Sequence, residues 1–254
     1  MPSFKIKHLV LATVMVPLAL GLAACKKTQG EDNEVPAATA ALPKVAPPAG
    51  KAWTDVIDTN TDGGVIMGNP NAPIKLVEYG SLSCPHCAKL AQEGFAKLTG
   101  DYVTSGRVSL EFRSFAIHPQ DVPLTVLAQC AGKETFFPLA EQLYSNFDSI
   151  IERMQKPGTE EAMKRAQSLP KNQYFPAISD AMGLTEFFAA RGVSVDQAHA
   201  CLADMTKVQA VADHSEAYGK SGVDSTPTLF INASKIEGNT WAELEAALQR
   251  AGAR

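Results

Sequence analysis

Two thiols separated by two residues carry the clearest chemistry in this chain: Cys84-Pro85-His86-Cys87. Such a pair can close a small disulfide ring or hold one edge of a metal site. A closed zinc site needs four ligands, and no second close cysteine pair accompanies this one. Thiol exchange needs a thiolate, which a helix N-terminus stabilises through its unpaired N–H groups and the positive end of its dipole. The flanking residues predict that setting. Residues 74–79 (Ile-Lys-Leu-Val-Glu-Tyr) read as a β-strand. Leu90, Ala91, Phe95 and Leu98 recur at helical spacing over 85–99, with Pro85 at the first helical position, where its missing N–H costs nothing. Cys84 is then the expected nucleophile, and Cys87, one turn in, the resolving thiol. His86 is expected to donate to the thiolate or place positive charge beside it. Glu78 falls on a strand that should be buried, and burial raises a carboxyl pKa. It either relays a proton to and from Cys87 or reaches water at the strand end.

The elements that position these residues can be read on either side. A second strand is expected over 108–113. Helical spacing follows over 121–132, 134–149, 158–168, 171–182 and 194–219, interrupted by Pro157-Gly158, Pro170 and Gly192. Ser194 with Gln197, and Thr240 with Glu243, read as capping boxes. The β pattern returns over 227–232, with a short partner at 235–237 across Asn232-Ala233-Ser234, before a last helix bearing Leu244, Ala247 and Leu248. A β-α-β half and a β-β-α half thus flank a helical block of about 118–219. His118 reads as a loop residue without a role, and His199 and His214 as helix-surface residues.

The chain has 254 residues, is 45% hydrophobic and 20% charged, and carries a net charge of −4, which offers no footprint for nucleic acid. Lys5, Lys7 and His8 precede an apolar run ending in Leu22-Ala23-Ala24-Cys25. That pattern predicts a signal peptide over 1–24 and resembles a bacterial lipobox, with Cys25 as the lipidated residue; an uncleaved membrane anchor is the alternative. Either way the rest of the chain is expected to be exported, lipid-anchored in the periplasm in the first case. Residues 25–52, rich in Pro and Ala, read as a tether with an extended reach of about 75–80 Å, and folding is expected to begin near Trp53. Of five cysteines, Cys130 and Cys201 remain. A structural disulfide between them accounts for every thiol and closes a loop of about 70 residues; two separate buried thiols are the alternative.

Glu78 six positions before Cys84, the Cys84-Pro85-His86-Cys87 motif, the helical insert and Gly222-Val223-Asp224-Ser225-Thr226-Pro227 together resemble the DsbA family of bacterial thiol:disulfide oxidoreductases. The resemblance covers 53–254. It implies an α/β, thioredoxin-like fold with an all-helical insertion between the two halves. It also implies a cis bond before Pro227, which presents the Thr226 backbone to an extended substrate. No cofactor beyond the Cys84–Cys87 disulfide is expected, and no metal. The implied partners are reduced or misfolded exported proteins and a membrane redox partner for recycling. The expected activity is disulfide donation by a monomer. Isomerase or reductase activity is the alternative, although residues 26–52 are too short and proline-rich for the dimerisation region such enzymes use. Threonine at 226 departs from the most oxidising members, and its hydroxyl could hydrogen-bond a sulfur.

Overall fold

Ile74 and Leu76, with Val108 and Leu110 opposite them, set the centre of the molecule; all four are buried. The structure, a computed structural model, describes residues 35–254. The expected signal peptide 1–24, the lipidation site Cys25 and residues 26–34 lie outside the described residues. The chain runs through β1 (Ile57–Thr59), β2 (Gly64–Gly68), β3 (Ile74–Gly80), α1 (Pro85–Lys97) and β4 (Val108–Ser114). The insertion follows as α2 (Asp121–Cys130), α3 (Phe136–Ser145), α4 (Phe147–Met154), α5 (Thr159–Ala166), α6 (Lys171–Ala181), α7 (Leu184–Ala189), α8 (Val195–Ala203) and α9 (Met205–Lys220). Then come β5 (Thr228–Ile231), β6 (Ser234–Lys235) and α10 (Trp241–Arg250).

Among the described residues the strands form one sheet in the order β1-β2-β4-β3-β5-β6. Only β3 and β4 are parallel, because α1 supplies the crossover that a parallel pair needs. The β5–β6 hairpin turns through Asn232 (φ 49°) and Ala233 (φ 71°), the left-handed pair a two-residue hairpin favours. The Asn232 side chain also accepts from the Lys75 N–H at 2.8 Å and donates to the Pro73 carbonyl at 3.0 Å, fixing the hairpin to the start of β3. The expected fold is therefore present: a thioredoxin-like α/β core with an all-helical insertion.

Several elements differ from the expectation. The β1–β2 hairpin was not foreseen. Helix α1 stops at Lys97 and continues as a π-helical turn, Leu98–Val103. The helix expected over 134–149 divides at Asn146 (φ −110°). The one expected over 194–219 divides at Asp204, whose side chain caps α9 by accepting from the Thr206 N–H. At Ser194 only half the box forms, since the Gln197 side chain donates instead to the Cys130 carbonyl.

The tether reading is corrected over 35–52. Ala38 N–H donates to the Arg250 carbonyl (2.8 Å), Leu42 N–H to the Gly252 carbonyl (2.9 Å) and Val45 N–H to the Ser105 carbonyl (2.9 Å). Val35 is buried, and the Trp53 indole donates to the Val45 carbonyl at 2.7 Å. A segment of small residues and prolines, with too few large apolar side chains to build a core, can still dock by its backbone. Here it supplies N–H donors to carbonyls left open at the C-terminal end of α10. The chain is thus docked on the folded part already at Ala38, Leu42 and Val45, ahead of Trp53.

Candidate active site

The path from Ser81 to Cys84 is a tight turn in which the Cys84 N–H donates to the Ser81 carbonyl at 3.1 Å. It delivers Cys84 to the N-cap of α1 in extended conformation (φ −86°, ψ 125°), with Pro85 as the first helical residue. Pro85 and His86 are exposed, while Cys84 and Cys87 are buried free thiols. The Thr226–Pro227 peptide is cis, and the Cys84 thiol donates to the Thr226 carbonyl at 3.4 Å. The motif at 84–87 and the loop at 226–227, 142 residues apart, thus form one site.

The two thiols are driven apart in acidity. Cys84 is lowered to about 5, chiefly by the hydrogen bond from the Cys87 thiol. Burial opposes this, while Thr226 and the backbone N–H groups of Cys87 and His86 assist. Cys87 is pushed well above the ordinary thiol value by burial first, then by the hydrogen bond it makes with Cys84, then by the negative charge of Glu78 and Cys84. The His86 backbone N–H contributes to the lowering at Cys84, and its side chain is exposed. In the dithiol state the Thr226 hydroxyl is buried without a hydrogen-bond partner, while the Cys84 thiol donates to the Thr226 carbonyl. Once Cys84 is a thiolate it becomes an acceptor, which is how that hydroxyl favours ionisation.

Glu78 sits on β3 opposite Phe112 and Leu229. Burial, followed by the charge on Cys84, raises its carboxyl to about 8. The surface it keeps opens on a cavity of about 40 Å³ beneath α1, walled by Leu90, Phe95, Phe112, Tyr144 and Trp241. Glu78 is partly buried, on the inner reach of the strand beside the cavity. Gly80 permits this packing, since a Cβ there would lie 2.5 Å from the Phe112 ring and 2.9 Å from Glu78 Oε1.

Three further residues of the site escaped the sequence reading. Asp121, the first residue of α2, receives the hydroxyls of Ser81 and Ser83, and the Tyr144 hydroxyl donates to the Ser81 carbonyl. His118, read as a roleless loop residue, lies with Nδ1 3.3 Å from Ser83 Oγ. An acidic residue opening a helix after His118-Pro119 was the one available signal.

Cys130 and Cys201 are bonded to each other (Cα–Cα 6.0 Å), joining α2 to α8. Cys25 lies outside the described residues.

A family model described as thioredoxin matches residues 60–250. The chain belongs to the thioredoxin family. Among solved structures, this thioredoxin-family protein resembles a protein-disulfide isomerase from Novosphingobium aromaticivorans at 26% identity. That likeness covers 74% of this chain and 96% of the other, with a TM-score of 0.67. It also shares its fold with Wolbachia pipientis alpha-DsbA1, at 22% identity, 76% and 93% coverage and a TM-score of 0.58. Its architecture is thus DsbA-like. A putative protein-disulfide oxidoreductase of Rickettsia bellii is 25% identical over 191 residues, 75% of this chain and 65% of the relative. The chain thus spans slightly less than two thirds of the length of that relative.

Proposed function

We propose that this protein is an exported thiol:disulfide oxidoreductase that donates the Cys84–Cys87 disulfide to reduced proteins. The observation that carries the proposal is the opposed acidity of the two thiols at one helix N-terminus. A substrate thiolate attacks Cys84 Sγ, the S–S bond breaks, and its electron pair leaves on Cys87 Sγ. Glu78, raised to about 8, is protonated at neutral pH and supplies the proton that Cys87 needs. A second substrate thiolate then attacks the substrate sulfur of the mixed disulfide and releases Cys84 as a thiolate. The substrate is oxidised by two electrons and the enzyme becomes the dithiol. Stabilising the thiolate stabilises that reduced form, which makes the disulfide oxidising. The Thr226 backbone beside Cys84 suits substrates bound as an extended strand, irrespective of sequence.

The Leu22-Ala23-Ala24-Cys25 ending supports a lipid anchor at Cys25 and a periplasmic position, with a membrane redox partner returning the dithiol to the disulfide. Thr226 favours a second reading, disulfide isomerisation, because a hydroxyl that reaches the sulfur retunes the exchange. The deciding measurement is the redox equilibrium of Cys84–Cys87 against glutathione. An oxidising potential well above the roughly −270 mV of thioredoxin is expected; a value near thioredoxin's would sink disulfide donation. Refolding of a scrambled substrate by the dithiol form tests the second reading.

A further inference from the structure

The turn that carries Cys84 is held from outside the sheet and α1. Asp121 is 1% exposed, yet its carboxylate accepts hydrogen bonds from five donors. Oδ1 receives Ser81 Oγ (2.8 Å), Ser83 Oγ (2.8 Å) and the Ser83 N–H (3.2 Å). Oδ2 receives the N–H groups of Ile117 (3.0 Å) and His118 (2.9 Å). From α3 the Tyr144 hydroxyl donates at 3.1 Å to the Ser81 carbonyl, the same oxygen that receives the Cys84 N–H. A buried carboxylate with so many donors is strongly fixed, since the Ser81 hydroxyl and the Ile117 and His118 N–H groups would lose their acceptor on its removal. One side chain therefore ties the residues before Cys84 to the loop that opens the helical insertion.

We propose that Asp121 is a positioning residue for thiol exchange: its carboxylate fixes the 81–84 turn and thereby the N-cap geometry of Cys84, with Tyr144 bracing the turn from the other side. This rests on the reading of Cys84 as the exchanging thiol. The N–H groups of His86 and Cys87 point at Cys84 Sγ only while Cys84 occupies the N-cap, and the turn sets that position. Asp121 reaches the sulfur through the turn, not by contact. The helical insertion, through its first two helices, α2 and α3, is thus part of the apparatus that keeps Cys84 ionised.

The sign of one substitution separates this from a simple charge effect. A carboxylate near a thiolate disfavours ionisation, so as a mere charge Asp121 would hold the Cys84 pKa up. Asp121→Asn, of equal size, would then lower it. Positioning demands the reverse, because an amide cannot accept at both ends and frees part of the turn. The titration midpoint of the dithiol protein, read from thiolate absorbance, is expected to rise by about one unit in Asp121→Asn. Alkylation of Cys84 below that midpoint is expected to slow about tenfold. Ser83→Ala, which removes one hydroxyl donor, should shift the midpoint in the same direction by less. A midpoint that falls or stays put in folded Asp121→Asn overturns the proposal. If that variant does not fold, unchanged midpoints in both Ser83→Ala and Tyr144→Phe overturn it. These readings need no substrate, so they stand apart from the direction of exchange. A wild-type dithiol lacking an acidic thiol would instead sink the reading on which the proposal rests.

Discussion

Cys84 and Cys87 share the first turn of α1, whereas Cys130 and Cys201 join α2 to α8 across a sequence separation of 71. The first pair meets the backbone N–H groups of a helix start, a backbone carbonyl and a nearby, partly buried carboxyl, and its two sulfurs titrate far apart. The second pair meets helix sides and the Lys207 ammonium, 3.7 Å from Cys201 Sγ. Closing a four-residue ring removes little freedom from the unfolded chain; closing the long loop removes much more. The same covalent bond is therefore reactive in one place and a staple in the other, and the surrounding groups make the difference.

The bluntest way to break this comparison is to exchange the defects. Cys84→Ser is expected to abolish disulfide transfer, a loss of about a thousandfold or more, because no acidic thiolate remains. Its melting temperature should change little. The double variant Cys130→Ser/Cys201→Ser should do the opposite, keeping transfer within about twofold and lowering stability by about 2–4 kcal/mol. In thermal denaturation that is a drop of roughly 5–15 °C. If the double variant loses transfer while remaining folded, the division between a reactive and a structural pair is wrong.

Legibility in the sequence follows the range of the interaction. The Cys84-Pro85-His86-Cys87 motif and the Thr240 capping box are settled by neighbours a few residues apart, and each stands where expected. The β5–β6 hairpin is there too, but with Ser234 in the strand rather than the turn and the partner at Ser234–Lys235 instead of 235–237. Glu78 was found because strand alternation and burial are local signals. Asp121 was not, because it bonds serines 38 and 40 residues away and its own neighbourhood announces only a helix start. The docking of the segment after Val35 left no periodic signature in its own side chains, since it is held through its backbone N–H and carbonyl groups, the latter by Trp53, Arg107 and Arg254. The three residues of β1, Ile-Asp-Thr, are too few to show a period.

The comparison is sharpened by pH, because only the first pair titrates. With the Cys84 pKa depressed to about 5 in the folded dithiol, its contribution to stability is present above the unfolded thiol value. That contribution is lost as pH falls through the folded value. The stability of the dithiol relative to the disulfide form should therefore grow as pH rises between the two. Where the unfolded thiol holds a proton that the folded thiolate does not, the slope is about 1.4 kcal/mol per pH unit. Glu78 has the opposite sign. Its folded pKa is raised to about 8, so stability present below the unfolded carboxyl value is lost as pH rises through that folded value. Glu78→Gln should accordingly stabilise the protein at neutral pH by about 2 kcal/mol while slowing transfer about tenfold. Parallel melting curves for both redox forms check the signs, and a flat difference between them would remove the acidic thiol from the account.

The smallest effect expected is at Thr226, and it bears on which way the disulfide travels. Thr226→Val keeps the shape of the side chain and the carbonyl that meets the Cys84 thiol, and removes only the hydroxyl that lacks a partner in the dithiol. In the neutral dithiol the change should be close to neutral or slightly stabilising, because a buried orphan hydroxyl is removed. In the thiolate it removes one hydrogen bond to sulfur, so the Cys84 midpoint should rise by about half a unit. A higher thiol pKa means a less stable dithiol form under the same conditions only through the thiolate. Thr226→Val should therefore be the less oxidising protein at neutral pH and converge with wild type below the Cys84 midpoint. A variant that is more oxidising at neutral pH would show that the hydroxyl serves the disulfide or the bound substrate rather than the thiolate. That result would shift the weight toward isomerisation.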